Sequence, residues 1–282
     1  MKENRGKVWT LEIVPRHAEK VSLFAGLLDE IYITMIPGSP VEDCHRAAGT
    51  VLDRGFLPVP HVAARNFQSE KELDEFFRAI RSLGLPKVLL LAGGQGEPRG
   101  PYGNSFDLLE SDCFREAGLK SVALAGHPEG NPEDAKSYKN LMEKCCLLRE
   151  MGLQPEVLTQ WSFSPEKTET YLRTLADDGL EIPVRVGVPG PANMKTLLKY
   201  AQICGVSASA TALKKQGLSM SRLLLGNKPD KFVSQIRETR LFHLYPFGGL
   251  ETCAEWLKSR PANEFASTEA RLSEPLSAVS GS

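Results

Sequence analysis

Residues 57–92 read LPVPHVAARNFQSEKELDEFFRAIRSLGLPKVLLLA. A short β-rich apolar run, Leu57–Val62, leads into a helical pattern, Glu70–Leu83, and out into a second run, Lys87–Ala92. Ser69 stands where a helix takes its N-cap, and Gly84 stands where it stops. The same strand-then-helix unit recurs almost from end to end. Further strands are expected at Val8–Val14, Glu30–Ile36, Ser121–Ala125, Glu156–Gln160, Pro183–Gly187 and Leu241–Tyr245. Between them fall helical patterns at Ala18–Asp29, Val41–Arg54, Ser105–Ala117, Asp134–Met151, Pro165–Asp178, Asn193–Ile203 and Lys228–Glu238, with Leu250–Lys258 after the last strand.

Strictly alternating β and α elements imply a parallel sheet, because parallel neighbours need a crossover between them. Eight strands at this spacing fit a closed (β/α)8 TIM barrel better than an open doubly wound sheet. No clear strand separates Gly205 from Leu225; Val206–Ala210 reads either as a very short strand or as part of a helical insertion. One barrel domain is expected over residues 1–260. Residues 261–282, rich in Ser, Ala and Glu, are expected to form a flexible C-terminal tail.

The bulk numbers narrow the function. Of 282 residues, 41% are hydrophobic and 24% charged, which suffices for a large core. With 34 basic against 35 acidic side chains, no basic field favours nucleic acid or an anionic membrane. Met1–Thr10 contains no apolar run suited to a signal peptide, and the longest apolar stretch, Val88–Ala92, is one strand long. A cytoplasmic enzyme is expected. Six cysteines without C-x-x-C spacing suit reduced thiols rather than zinc or disulfides.

In a barrel, ligands bind where the strands end and the βα loops converge. Here those ends carry Glu12, Thr34, His61, Gly93-Gly94-Gln95, His127-Pro128-Glu129, Thr159-Gln160-Trp161, Gly187 and Tyr245. The set is polar and rich in Gly and Pro, and it is not a metal set. No Ser-His-Asp pattern, G-x-G-x-x-G or P-loop accompanies it. Glu12 breaks an otherwise apolar first strand. It faces either the barrel interior, where desolvation would raise its pKa and suit a general acid, or outward towards a lysine. Gln95 and Gln160 each offer a donor and an acceptor, as a pterin or flavin edge requires. Trp161 and Phe163 suit ring stacking or core packing, and His61 reads most simply as a structural histidine.

In chain order, these strand ends resemble the methylenetetrahydrofolate reductase family. The segments that carry the likeness are Leu11-Glu12-Ile13-Val14-Pro15, Ile33-Thr34, Pro60-His61, Leu91-Ala92-Gly93-Gly94-Gln95, Gly126-His127-Pro128-Glu129-Gly130-Asn131-Pro132, Leu158-Thr159-Gln160-Trp161, Ile182–Val188 and His243-Leu244-Tyr245. The resemblance implies a (β/α)8 barrel that interconverts 5,10-methylenetetrahydrofolate and 5-methyltetrahydrofolate, with hydride passing from NAD(P)H through FAD. It makes Glu12 the general acid and places Gln95, Gln160, Trp161 and Met194 on the folate side. It places Thr34, His61, Gly94, His127 and Asn131 on the flavin side. A homo-oligomer is compatible with it.

The chain also departs from the family. Gly93-Gly94-Gln95 stands where the family usually has Arg-Gly-Asp, and Pro246-Phe247-Gly248 stands where it has Thr-Leu-Asn. Two alternatives follow: direct hydride transfer from NAD(P)H without flavin, or a folate-binding, methyl-transferring barrel with no redox step.

Overall fold

On every strand, side chains alternate between the two faces, so a strand inside a closed barrel sends one residue inward and the next outward. The computed structural model describes residues 8–94, 96–206 and 229–260. Its strands are β1 (Trp9–Ile13), β2 (Glu30–Ile33), β3 (Leu57–Ala63), β4 (Lys87–Leu91), β5 (Ser121–Gly126), β6 (Gln154–Thr159), β7 (Val184–Pro189) and β8 (Phe242–Tyr245). All pair in parallel in chain order, and β8 returns to β1 through Thr10↔His243 to close the barrel. The chain is a (β/α)8 barrel, and the open sheet is excluded.

Helices α1 (Glu42–Asp53), α2 (Glu70–Ser82), α3 (Ser105–Glu110), α4 (Asp112–Arg115), α5 (Ser137–Glu150), α6 (Pro165–Asp177), α7 (Met194–Ile203), α8 (Asp230–Gln235) and α9 (Leu250–Lys258) connect or follow the strands. The outward residues of β1, Trp9, Leu11 and Ile13, join one large buried cluster with helical residues such as Val21, Phe76 and Leu257. Each such side chain contributes roughly 1.5–3 kcal/mol by leaving water. None of the described helices is long and apolar enough to cross a membrane.

Two helices differ from their sequence expectation. Residues Pro15–Phe24 form a 3-10 stretch where an α-helix over Ala18–Asp29 was expected. Its buried residues, Ala18, Val21 and Phe24, recur every third position, which is the period of the tighter helix. The expected helix Ser105–Ala117 is broken at Ser111, whose extended backbone and side chain instead cap α4. By contrast, Ser69 and Ser164 cap α2 and α6 as read. Residues 207–210, and with them most of the Val206–Ala210 stretch, lie outside the described residues, as does the tail from 261.

Inside the barrel, a middle layer of Tyr32, Val59, Leu89, Ala123 and Leu158 packs as a separate small cluster. At the amino end of the strands lies a floor of four charges. Lys87 Nζ lies 3.0 Å from Glu30 and 2.7 Å from Glu156. Arg185 Nε lies 2.9 Å from Glu156, and the Tyr32 hydroxyl donates to Glu156 at 3.0 Å. Burial alone would push the Glu156 carboxyl up, but the charges of Arg185 and Lys87 outweigh burial and hold it well below the usual range. This floor fills the amino end of the barrel interior with paired charges.

Candidate active site

Thr10 and Glu12 share the inward face of β1 because they are two residues apart. Glu12 is therefore interior, at the carboxyl end of its strand, and its side chain is about one-fifth exposed, at 20%. Thr34, just past β2, donates its hydroxyl to Glu12 Oε1 at 3.3 Å. His61 from β3 brings Nε2 to 3.4 Å from Glu12 Oε2, and His243 from β8 brings its Nε2 to 3.6 Å from the same oxygen. Both imidazoles are buried, and neither Nε2 makes a hydrogen bond. At these separations they are charge contacts rather than formed hydrogen bonds.

The expected rise in the Glu12 pKa is reversed. Burial does push the carboxyl up, but the charge of His61 and the approach of His243 outweigh it, and the group sits well below the usual carboxylate range. Sequence reasoning placed a lone carboxylate in an apolar strand; it could not see two imidazoles arriving from β3 and β8. His243 is the residue it missed. The signal was the alternation of His243 and Tyr245 on a short strand, which turns both inward. Burial pushes His243 down, against the pull of Glu12. The site is thus a carboxylate held between two imidazoles, the pair of group types that general acid–base chemistry uses.

The other predicted residues divide into those near this cluster and those occupied elsewhere. Gln160 follows β6; its backbone N–H donates to Gly126 at 2.7 Å, and its Oε1 accepts from the Trp161 N–H at 3.0 Å. The same rim holds Tyr245, whose hydroxyl donates to the Thr159 carbonyl at 3.2 Å. Gly187 lets β7 pass close here, since a Cβ at that position would run into the Thr159 carbonyl and the Tyr245 ring. Trp161 is buried at 1% exposure and meets Phe163 and Phe247 edge-on, so it anchors the rim and presents no stacking face. Of the two uses open to Trp161 in the sequence, the structure shows core packing, and the rings stacked in series and half-buried here are Tyr245, Phe247 and Tyr200. Met194 opens α7 and is half-buried.

On the opposite rim, Gly94 is exposed and its carbonyl accepts from Arg65 at 3.3 Å. Asn131 Oδ1 accepts from the Glu133 N–H at 3.0 Å within its own loop. Burial, then the nearby Lys144, pushes His127 down to about 4, so this imidazole is neutral at physiological pH. Gln95 lies outside the described residues. Among the described residues, no group of three or more His, Cys, Asp or Glu is arranged to hold a metal ion.

No protein-family model matches the sequence. Among solved structures, the chain is similar to the dihydropteroate synthase of Xanthomonas albilineans, solved with indole-2-carboxylic acid and 6-chloroguanine. Identity is 15%, the alignment covers 96% of this chain and 94% of that one, and the TM-score is 0.49. It is also similar to a sialic acid aldolase of Ruminococcus gnavus, at 13% identity over 72% of this chain and 66% of that one, with a TM-score of 0.42. At such values the chemistry has to be argued from this chain's own residues.

Proposed function

We propose that this barrel is an oxidoreductase acting on a reduced folate, interconverting 5,10-methylenetetrahydrofolate and 5-methyltetrahydrofolate with NAD(P)H as the hydride source. The observation that carries the reading is the Glu12 carboxylate held between His61 and His243 at the barrel mouth. Opening the five-membered ring of a methylene folate breaks a carbon–nitrogen bond, and the departing nitrogen must take a proton. The Glu12 cluster supplies it. The methylene carbon, left as an iminium, then accepts a hydride and becomes a methyl group. Gln160 at the end of β6 offers its amide to the pterin edge, and the stacked rings of Tyr245, Phe247 and Tyr200 offer an apolar wall.

FAD is what the family resemblance implies, but four of the five residues assigned to it already have partners of their own. Thr34 and His61 are turned towards Glu12, Asn131 is bonded within its own loop, and the Gly94 carbonyl is taken by Arg65. No step is therefore drawn through a flavin, and direct transfer between nicotinamide and folate is the version we carry forward.

The test is nicotinamide oxidation by the purified protein with methylenetetrahydrofolate, alongside its absorbance spectrum before and after adding FAD. A colourless protein that turns over, and loses roughly 10²-fold or more of its rate in Glu12→Gln, supports the proposal. A flavin band that bleaches with NADH and recovers with folate restores the flavin route. Folate binding without any nicotinamide turnover leaves a non-redox folate barrel and overturns the oxidoreductase reading.

A further inference from the structure

Thr10 lies two residues before Glu12 and directly opposite His243 in the β1–β8 register. Its Oγ1 is 2.8 Å from His243 Nδ1 and 3.4 Å from the Phe242 carbonyl oxygen. Thr10 is 1% exposed and His243 0%, so neither can turn to water for a partner. A hydroxyl carries one proton and can also accept one. When Nδ1 is bare, the hydroxyl donates to it, and the Nε2–H of a neutral His243 faces Glu12. When Nδ1 bears a proton, the hydroxyl swings to the Phe242 carbonyl and its oxygen accepts from Nδ1–H.

We propose that Thr10 is a positioning residue, a hydroxyl rotor that satisfies His243 Nδ1 in every protonation state and so lets His243 hold the proton that recharges Glu12. In that step the cationic His243 gives the Nε2 proton to Glu12 as the departing nitrogen takes one on from the carboxyl. Glu12 ends ionised, and His243 is left neutral with its proton on Nδ1, still accepted by Thr10. Without the hydroxyl, the cation would carry a buried N–H with no partner, at a cost large enough to suppress it. The groups that face His243 are Glu12 on β1, Tyr32 on β2 with its ring 4.9 Å away, His61 on β3, Arg185 on β7, and Tyr245 at 4.8 Å on β8 itself. Among the described residues, Thr10 is the hydrogen-bond partner of Nδ1.

This inference rests on the acid reading of Glu12, but its test does not need turnover. Heteronuclear NMR of the imidazole nitrogens gives the His243 titration midpoint in wild type, Thr10→Val and Thr10→Ser. Valine keeps the shape and removes the hydroxyl. The midpoint is expected to fall by about one pH unit in Thr10→Val and to return in Thr10→Ser. Should valine disturb folding, Thr10→Ala is read in the same way. An unchanged midpoint in the folded variant overturns the rotor, whatever the substrate proves to be. If the folate reaction is observed, Thr10→Val should lower kcat about tenfold with KM kept and move the pH profile with the midpoint. A change in KM alone would also overturn it, because a merely structural threonine would move neither midpoint nor profile.

Discussion

Among the described residues, the barrel interior holds a group of charged or titratable side chains at each end, and the two are built on opposite rules. At the floor, Lys87 and Arg185 lie against Glu30 and Glu156, every carboxylate has a cation within reach, and Tyr32 adds a hydrogen bond. At the mouth, one carboxylate faces two imidazoles that complete no hydrogen bond to it. The floor is saturated and its cations cannot lose their charge near neutral pH. The mouth is unsaturated and its partners can. A buried set of permanent charges fixes structure, whereas a buried set that can exchange protons is suited to chemistry.

The sharpest way to break this contrast is a Glu→Gln change at the floor. Glu156→Gln leaves the Lys87 ammonium and the Arg185 guanidinium sharing Glu30, at 3.0 and 3.9 Å. Removing one partner from a buried pair typically costs about 3–5 kcal/mol. Urea denaturation should show a midpoint lowered to match, with the m-value kept. A loss under about 1 kcal/mol would mean that water reaches the floor and that its ion pairs are screened.

His127 tests the rim of the mouth, just past the carboxyl end of β5. Its pKa falls from 6.5 to about 4 on folding, first through burial and then through Lys144. The unfolded chain therefore binds more protons between those values, so stability declines as pH drops from 6.5 towards 4. The full effect amounts to about 3 kcal/mol at most. His127→Asn should remove that part of the slope in denaturation midpoints taken across the range. An unchanged slope would assign the acid sensitivity to other groups, such as His243 and His17, which burial also pushes down.

How much of this was legible in the sequence follows from what each feature depends on. The strands announce themselves locally, as at Lys87–Leu91, and glycines such as Gly84 and Gly179 mark the ends of helices by their positive φ. All eight strands were therefore readable, with boundaries shifted by up to three residues. The inward direction of Glu12 was left open because a five-residue strand gives little alternation to count. His243 was quoted within a matching segment and yet not assigned to the site, because its partner Thr10 is 233 residues away in sequence. The floor went unread for the same reason, although Glu30, Lys87, Glu156 and Arg185 each interrupt an apolar run near a strand's amino end. Trp161 was left open between stacking and core packing, because an aromatic at a strand end gives no sign of whether later loops will cover it, and here Phe247 does.

The smallest effect is the most discriminating, because it repeats the floor substitution at the mouth. Glu12→Gln removes a carboxylate as Glu156→Gln does, but the groups left behind are two imidazoles, His61 and His243, and not permanent cations. The loss at neutral pH should be only about 1 kcal/mol, near that of one ordinary hydrogen bond. Its pH dependence has a definite sign. The folded Glu12 carboxyl lies below its ordinary value of 4.5. Its stabilising contribution is therefore present above that pH and is lost as pH falls further towards the folded pKa. The gap between wild type and Glu12→Gln should hold from neutrality down to about 4.5 and then close. A gap as large as that of Glu156→Gln would show that the imidazoles are locked in the charged form, and the mouth would then be a second structural ion cluster with no proton to spare.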